Sequence, residues 1–189
     1  VDEGILWGML AALKRNGELH PKVKEAYQKG SYNGLIATVR ASFRSSNGKQ
    51  VVYRPDSMQI VAPSNGDKLF IIEPFTGEII KNFKNTDFPH GVCFWPDGKK
   101  IAVGSESVVE ILNIGSGKIT IVDKGLEHAF NTAYSPLHKG IITYNNGSKI
   151  IIRDIKTNKI VQIMEMDSIV FSIDFSPDGK HLLSTDING

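Results

Sequence analysis

The sequence predicts an all-β fold, a β-propeller built from four-stranded antiparallel blades. The first observation behind this prediction is the spacing of Pro55, Pro96, Pro136 and Pro177, which follow one another at steps of 41, 40 and 41 residues, each after a short apolar run. The second is that polar turns recur in phase with these prolines. A repeat of about 40 residues is typical of propeller blades, because a single sheet cannot bury its faces without neighbours.

Each repeat contains three turns whose residue types fix their geometry. The turn after the first strand reads Trp-Pro-Asp-Gly at 95–98 and Ser-Pro-Asp-Gly at 176–179. Proline presets φ, aspartate bonds its own backbone and glycine accepts a positive φ. The second turn, Asn-Asn-Gly at 145–147, has the Asn-Gly pair typical of hairpins, and the third, at 116–118, closes another hairpin. The intervening runs are rich in Ile and Val, which predicts four short strands per repeat.

The predicted blades cover residues 48–84, 88–122 and 128–164, and part of a fourth covers 168–189. Residues 35–40 fall where the outermost strand of an earlier blade would lie. We interpret them as a strand shared with a blade that is otherwise missing, since propellers remove exposed edges in this way. The sequence therefore predicts an incomplete ring over residues 34–189, with the remaining strands beyond Gly189 in a longer chain.

Residues 1–33 predict a helical leader. Apolar residues recur there at helical spacing, namely Ile5, Leu6, Met9, Leu10 and Leu13. Asn16 and Gly17 end this run, and Pro21 lies in the first turn of a second predicted helix that reaches about Lys29.

The composition narrows the classes of partner. The net charge is +2 and no basic block is present, which argues against a nucleic-acid partner. Apolar runs are far shorter than the roughly 20 residues of a membrane-spanning helix, so no membrane association is expected. Cys93 is the only cysteine. No intramolecular disulfide can form, a reducing cytoplasmic location is expected, and the thiol on its inner strand is expected to be inert.

Motifs for catalysis or cofactor binding are missing from the sequence. Residues 113–120 (Asn-Ile-Gly-Ser-Gly-Lys-Ile-Thr) are similar to a phosphate-binding loop, but Ile119 stands where that loop needs Ser or Thr. The five histidines stand singly, without a metal-binding pair, and no Gly-x-Ser-x-Gly run is present. We expect no cofactor, no metal and no enzymatic activity.

Two residues depart from the repeat. Asp174 holds an innermost-strand position that is Val52, Cys93 or Ala133 in the other repeats. We expect it to line the central channel near water, because burial of an unpaired carboxylate is costly. Trp95 stands where the other repeats have Arg or Ser, and it is interpreted either as an anchor for a partner or as a ring packed on the neighbouring turn.

Recognition in this fold falls to loops that gather at one end of the channel. These loops are predicted at 84–90, 123–130 and 165–168, beside the second turn of each repeat. Acidic residues outnumber lysines there, so the expected partner is a protein or peptide, preferably basic. The candidate partner-binding residues are Asp87, Phe88, His90, Trp95, Glu127, His128, Phe130 and Asp167.

Residues 35–189 resemble the WD-repeat β-propellers. The resemblance is carried by Phe-Ser-Pro-Asp-Gly-Lys at 175–180 and by the strand and turn at 151–159. The Trp-Asp pair that ends the third strand in that family is here Ile-Glu at 72–73, Leu-Asn at 112–113 and Arg-Asp at 153–154, and the Gly-His pair is absent. Degenerate WD repeats and the related bacterial propellers with Tyr-Val-Thr-Asn-like strands both fit.

Residues 11–27 are similar to the helical stretch that precedes the propeller in large bacterial signalling proteins with C-terminal WD-repeat sensors. The two resemblances imply a non-enzymatic interaction scaffold or sensor module within a larger signalling protein. The alternative is an enzyme or a small-ligand-binding propeller whose active groups lie in blades outside this sequence, and Asp174 is the residue that keeps this alternative open.

Overall fold

The computed structural model describes residues 14–15, 18–19, 50–55, 59–64, 66–73, 78–85 and 87–188. The sixteen elements within these ranges are all β-strands, which confirms the predicted all-β class. The first two, β1 (Lys14–Arg15) and β2 (Glu18–Leu19), pair with each other. Both strands lie in the leader that the sequence predicts to be helical, and β1 takes the place of the end of the first predicted helix. The rest of the predicted helices and the predicted strand at 35–40 lie outside the described residues.

Three four-stranded antiparallel sheets follow in chain order. The first blade contains β3 (Val52–Tyr53), β4 (Ile60–Pro63), β5 (Lys68–Ile72) and β6 (Ile79–Lys84). The second contains β7 (Pro89–Phe94), β8 (Lys100–Ser105), β9 (Val108–Asn113) and β10 (Ile119–Lys124). The third contains β11 (Thr132–Tyr134), β12 (Ile141–Asn146), β13 (Lys149–Asp154) and β14 (Lys159–Glu165).

A two-stranded sheet completes the described chain and is called the half-blade below. It contains β15 (Val170–Phe175) and β16 (Leu182–Asp186). The first strands of successive blades contact one another, β3 with β7, β7 with β11 and β11 with β15, so they line the axis of the stack. The predicted three blades and part of a fourth are confirmed. The boundaries of the predicted loops differ, because the strands reach further. β6 ends at Lys84, β10 at Lys124 and β14 at Glu165, and β7 begins at Pro89, so His90 lies on a strand.

Apolar side chains from consecutive blades form the core between them. Leu69 and Phe83 of the first blade pack with Val92 and Leu112 of the second. The second blade is covered on both sides, and its strands β8 and β9 are almost wholly buried. The outer strand β14 is mostly exposed. Stacking of blades therefore supplies the burial that one sheet cannot supply alone.

The turns after the first strands have the geometry that their residues predict. Gly98 and Gly179 have φ angles of 65° and 69°, in the region that glycine enters without a steric penalty. Asp97 Oδ1 accepts the backbone N–H of Lys99 at 2.9 Å, and Asp178 Oδ1 accepts that of Lys180 at 3.1 Å. These turns carry the chain back to the second strand of each blade.

A buried polar group joins the second and third blades at a distance from the axis. Arg153 Nη2 lies 2.7 Å from Asp123 Oδ2, and Tyr144 Oη donates to the same oxygen at 2.6 Å. Desolvation and this hydrogen bond raise the pKa of Tyr144 above its usual value. Arg153 stands where the WD-repeat pattern has tryptophan, while Asp154 accepts the N–H of Lys156 at 2.8 Å in its own turn. This network differs from the one that the resemblance implies.

Candidate functional site

The loops between blades and the second hairpin turns meet at one end of the stack. The N–H of Leu126 donates to Ser107 O at 3.0 Å, and that of His128 to Glu106 O at 2.9 Å. On the next blade, Met166 N donates to Ser148 O at 2.8 Å. Backbone hydrogen bonds thus fix each loop to the hairpin of a blade beside it. This end of the stack is called the loop face below.

Side-chain amides occupy the axis just inside the loop face. Gln50 Oε1 accepts the N–H of Val92 at 3.3 Å, and Asn131 Oδ1 accepts that of Ile173 at 3.4 Å. Each contact links one blade to the first strand of the next. Asn131 Nδ2 also lies 3.5 Å from Gln50 Oε1, which connects the third blade to the start of the first. The two amides therefore form a floor beneath the loop face.

Three rings occupy the same position of successive repeats above this floor. His90, Phe130 and Phe171 are separated by 40 and 41 residues, and each directly precedes an axial position of the first strand. The ring centroids of His90 and Phe130 lie 4.9 Å apart, and those of Phe130 and Phe171 lie 6.4 Å apart with their planes within 9° of parallel. His128 stacks on Phe130 at 4.9 Å. We call these four residues the aromatic mouth.

Close backbone packing holds the aromatic mouth in position. A Cβ atom added to Gly91 would overlap the carbonyl oxygen of Phe130 and lie 2.6 Å from Asn131 Cα. His128 has a φ angle of 59°, a conformation that costs a non-glycine residue roughly 1–2 kcal/mol. Its carbonyl accepts Asn145 Nδ2 at 2.6 Å, which keeps the residue in this conformation.

Acidic side chains surround the aromatic mouth on the loop face. Asp87 accepts the N–H and the hydroxyl of Ser107 at 2.9 and 2.7 Å. Partial desolvation opposes ionisation, but these hydrogen bonds, the N–H of Phe88 and the nearby His90 hold the pKa of Asp87 below its usual value. Glu127 and Asp167 are exposed.

Two lysines near this end are already paired with acidic residues. Lys84 Nζ lies 3.4 Å from Asp67, and Lys149 Nζ lies 3.2 Å from Glu165. No salt bridge involving Glu127 or Asp167 is found among the residues that the structure describes. Lys124 is exposed at the end of β10 and takes part in none of these salt bridges. Asp87, Glu106, Glu127 and Asp167 outnumber it, so the charge left over on the loop face is negative.

The structure brings most of the sequence-predicted residues together. Seven of them lie on or beside the loop face, namely Asp87, Phe88, His90, Glu127, His128, Phe130 and Asp167. Trp95 lies at the other end of the stack and packs on Tyr134 with ring centroids 4.9 Å apart, which is the packing alternative. Sequence reasoning missed Phe171, although its place in the 40-residue series was the signal that would have found it.

Among the described residues, Cys93 on β7 and Asp174 on β15 hold the same position of the first strand in different blades. Asp174 is exposed and accepts the N–H of Phe175 at 2.8 Å, so it is solvated as the sequence predicted. Desolvation above all, and to a smaller extent the charge of Asp174, raise the pKa of the Cys93 thiol to about 12. A thiol protonated at neutral pH is a poor nucleophile and metal ligand.

The described residues are expected to hold neither a metal site nor a membrane span. They contain no group of three or more His, Cys, Asp or Glu side chains arranged to hold a metal ion. No helix among them is long and apolar enough to span a membrane.

Comparisons with known proteins bear on the fold alone. No protein-family model matches the chain, and no curated protein matches it. Among solved structures, the chain is similar to hydrazine synthase of Kuenenia stuttgartiensis, with a TM-score of 0.65 and 15% sequence identity. The match covers 77% of this chain and 46% of that chain, so this chain spans less than half of its length. At this identity no activity follows from the likeness, since one fold hosts many functions.

Proposed function

We propose that this chain is a non-enzymatic interaction module that binds a basic protein or peptide through its loop face. The observation that carries the proposal is the convergence of the aromatic mouth with acidic side chains at one end of a rigid stack. Aromatic rings supply contact area at low entropic cost, and acidic groups steer a basic partner. The stacked blades hold these groups in place, which suits the binding of a basic protein or peptide.

The wider setting of the module is also proposed. The repeats would be degenerate WD repeats in which Arg153 and Tyr144 replace the tryptophan network of the family. The chain would be a scaffold or sensor within a larger cytoplasmic signalling protein. The support is the resemblance of residues 35–189 and of the leader, together with a single free thiol at Cys93. In such a protein the remaining blades would complete the ring around the same axis.

The test is an array of short peptides of graded charge, probed with the labelled chain. We expect basic peptides to be retained, with an affinity and an association rate that fall as salt increases. A triple variant, Asp87→Asn, Glu127→Gln and Asp167→Asn, should bind the same peptides about tenfold more weakly.

The matched control removes the same charge from the opposite end of the stack. Asp97→Asn, Asp154→Asn and Asp178→Asn keep a side-chain oxygen for their turns, and this variant should bind like the wild type. Retention of no basic peptide, or equal weakening by both triple variants, would contradict the proposed loop-face function.

The enzyme or small-ligand alternative makes a different prediction. It needs Asp174 in the channel to contact a ligand, and the exposed carboxylate is the feature in favour of it. Asp174→Asn would then abolish ligand binding or turnover while leaving peptide binding intact. If Asp174→Asn left ligand binding and turnover unchanged, the alternative would lose its support.

A further inference from the structure

The aromatic mouth also indicates which chemical group of a basic partner it binds. This inference rests on the proposed function. Phe171 exposes 48% of its surface, and its ring is nearly parallel to that of Phe130. Aromatic faces carry negative electrostatic potential, so a cation over them is attracted. Phe130 is partly covered by His128 and Phe171, so the half-exposed ring of Phe171 is the surface that is open to a planar or compact cationic group.

The floor of the mouth offers little to an uncharged polar ligand. Gln50 Oε1 already accepts the N–H of Val92 and faces Asn131 Nδ2, and Asn131 Oδ1 accepts the N–H of Ile173. These amide oxygens are engaged in holding the blades together. A cationic ligand carries hydrogen-bond donors and finds few free acceptors on this floor, so the rings and the carboxylates around them are the groups that suit it.

The carboxylates set the sign of the ligand's charge. Hydrogen bonds to Ser107 and Phe88 favour the ionised form of Asp87, and Glu127 stands exposed on the loop that carries His128. Lys84 and Lys149 are paired with Asp67 and Glu165, and Lys124 lies at the end of the outer strand β10, opposite Val108 of β9. Both the ring faces and these carboxylates would repel an anion.

We infer that the aromatic mouth binds an organic cation, a guanidinium or ammonium group, whose charged atoms lie against the exposed ring of Phe171 at the edge of the mouth and whose charge is balanced by Asp87 and Glu127. Two sources present this chemistry: the side chain of a basic peptide, as the proposed function has it, and a free small organic cation. A cation over an aromatic face gains most where water is partly excluded.

The experiment compares charged and uncharged versions of one ligand on the full 189-residue chain. Fluorescence anisotropy measures binding of a labelled arginine-containing peptide and of the same peptide with citrulline, which has the same shape without the charge. Titration calorimetry measures binding of arginine methyl ester and tetramethylammonium. The variants are Phe171→Leu, which keeps apolar volume but removes the ring, and Leu183→Ala as a control, because Leu183 is an exposed apolar residue of the same half-blade.

We expect the arginine peptide to bind, the citrulline peptide to bind at least tenfold more weakly, and Phe171→Leu to lose about five- to twentyfold in affinity while Leu183→Ala binds normally. Binding of the small cations without the peptide would support the inference and contradict the proposed peptide function. Peptide binding that is indifferent to citrulline or to Phe171→Leu would overturn the inference and leave the proposed function standing. Binding of no probe would overturn both.

Discussion

Asn131 and Gln50 meet at the axis with Nδ2 and Oε1 3.5 Å apart, although 81 positions of sequence separate them. Asn131 belongs to the third blade and Gln50 precedes the first strand of the first, so the contact crosses the stack. Asn131 is 6% exposed and its Oδ1 also accepts the N–H of Ile173. One amide thus ties three of the four sheets of the stack together.

Replacement of Asn131 by Ala should destabilise the whole stack. The N–H of Ile173 and the amide of Gln50 would both lose a partner, and we expect the free energy of unfolding to fall by about 2–3 kcal/mol. Urea denaturation followed by tryptophan fluorescence measures this. The control is Asn82→Ala on the exposed outer strand of the first blade, which should change stability by less than about 0.5 kcal/mol. Equal effects of the two variants would show that the axial amide has no special role.

The ion pair between Asp123 and Arg153 should contribute more to stability than the pair between Lys149 and Glu165. The side chains of the first pair are only 23% and 10% exposed, whereas those of the second are 48% and 77% exposed. Asp123→Ala leaves a buried guanidinium without its acid, at a cost of about 3 kcal/mol. Glu165→Ala should cost less than about 1 kcal/mol. The same denaturation assay compares them, and a similar cost for both would contradict the assigned burial.

The contacts behind these two predictions lie between blades, and such contacts could not be predicted from the sequence. The blades could be predicted because prolines, glycines and apolar alternation act locally and recur with the repeat. The link from Asp123 to Arg153 could not, since it depends on how two blades face each other across 30 positions. Phe171 is a mixed case: its place in the 40-residue series can be read from the sequence, but its contact with Phe130 joins β15 to the third blade and depends on how the blades stack.

The stability contributed by Asp87 should depend on pH. Its pKa is lower in the folded chain than in the unfolded one, so its contribution is present above the unfolded value, near 4, and is lost as the pH falls through the lowered folded value. At pH 7 we expect the free energy of unfolding of the wild type to exceed that of Asp87→Ala by about 1 kcal/mol. The two values should converge in acid. Unfolding curves from pH 7 to about 2.5 test this. Ser107→Ala should differ less from the wild type in free energy of unfolding over the same pH range. If the difference between the wild type and Asp87→Ala widened in acid, the lowered pKa of Asp87 would be refuted.

A methyl group at Gly91 should displace the aromatic mouth. The added Cβ would overlap the carbonyl of Phe130, and backbone in a packed sheet yields only at a cost of about 2–4 kcal/mol. Gly66→Ala is the matched control, since its nearest neighbour is Ser64 Oγ at 3.8 Å, and it should stay within about 1 kcal/mol of wild type. Thermal unfolding and peptide binding are measured together. A Gly91→Ala protein with normal melting and binding would disprove the close packing between the second and third blades.

Replacement of Asn85 by Leu should stabilise the chain. Asn85 is 5% exposed, and neither polar atom of its side chain has a hydrogen-bond partner among the described residues. Its backbone N–H donates to Asp67 O as that of Leu126 donates to Ser107 O, so the two residues hold equivalent places, and Leu126 packs in the core there. Removal of an unsatisfied buried amide should raise the free energy of unfolding by about 1–2 kcal/mol. Asn85→Ala, which removes the amide but leaves a cavity, should gain less or lose stability. A lower stability of Asn85→Leu than of Asn85→Ala would mean that the pocket is closed to the larger apolar side chain.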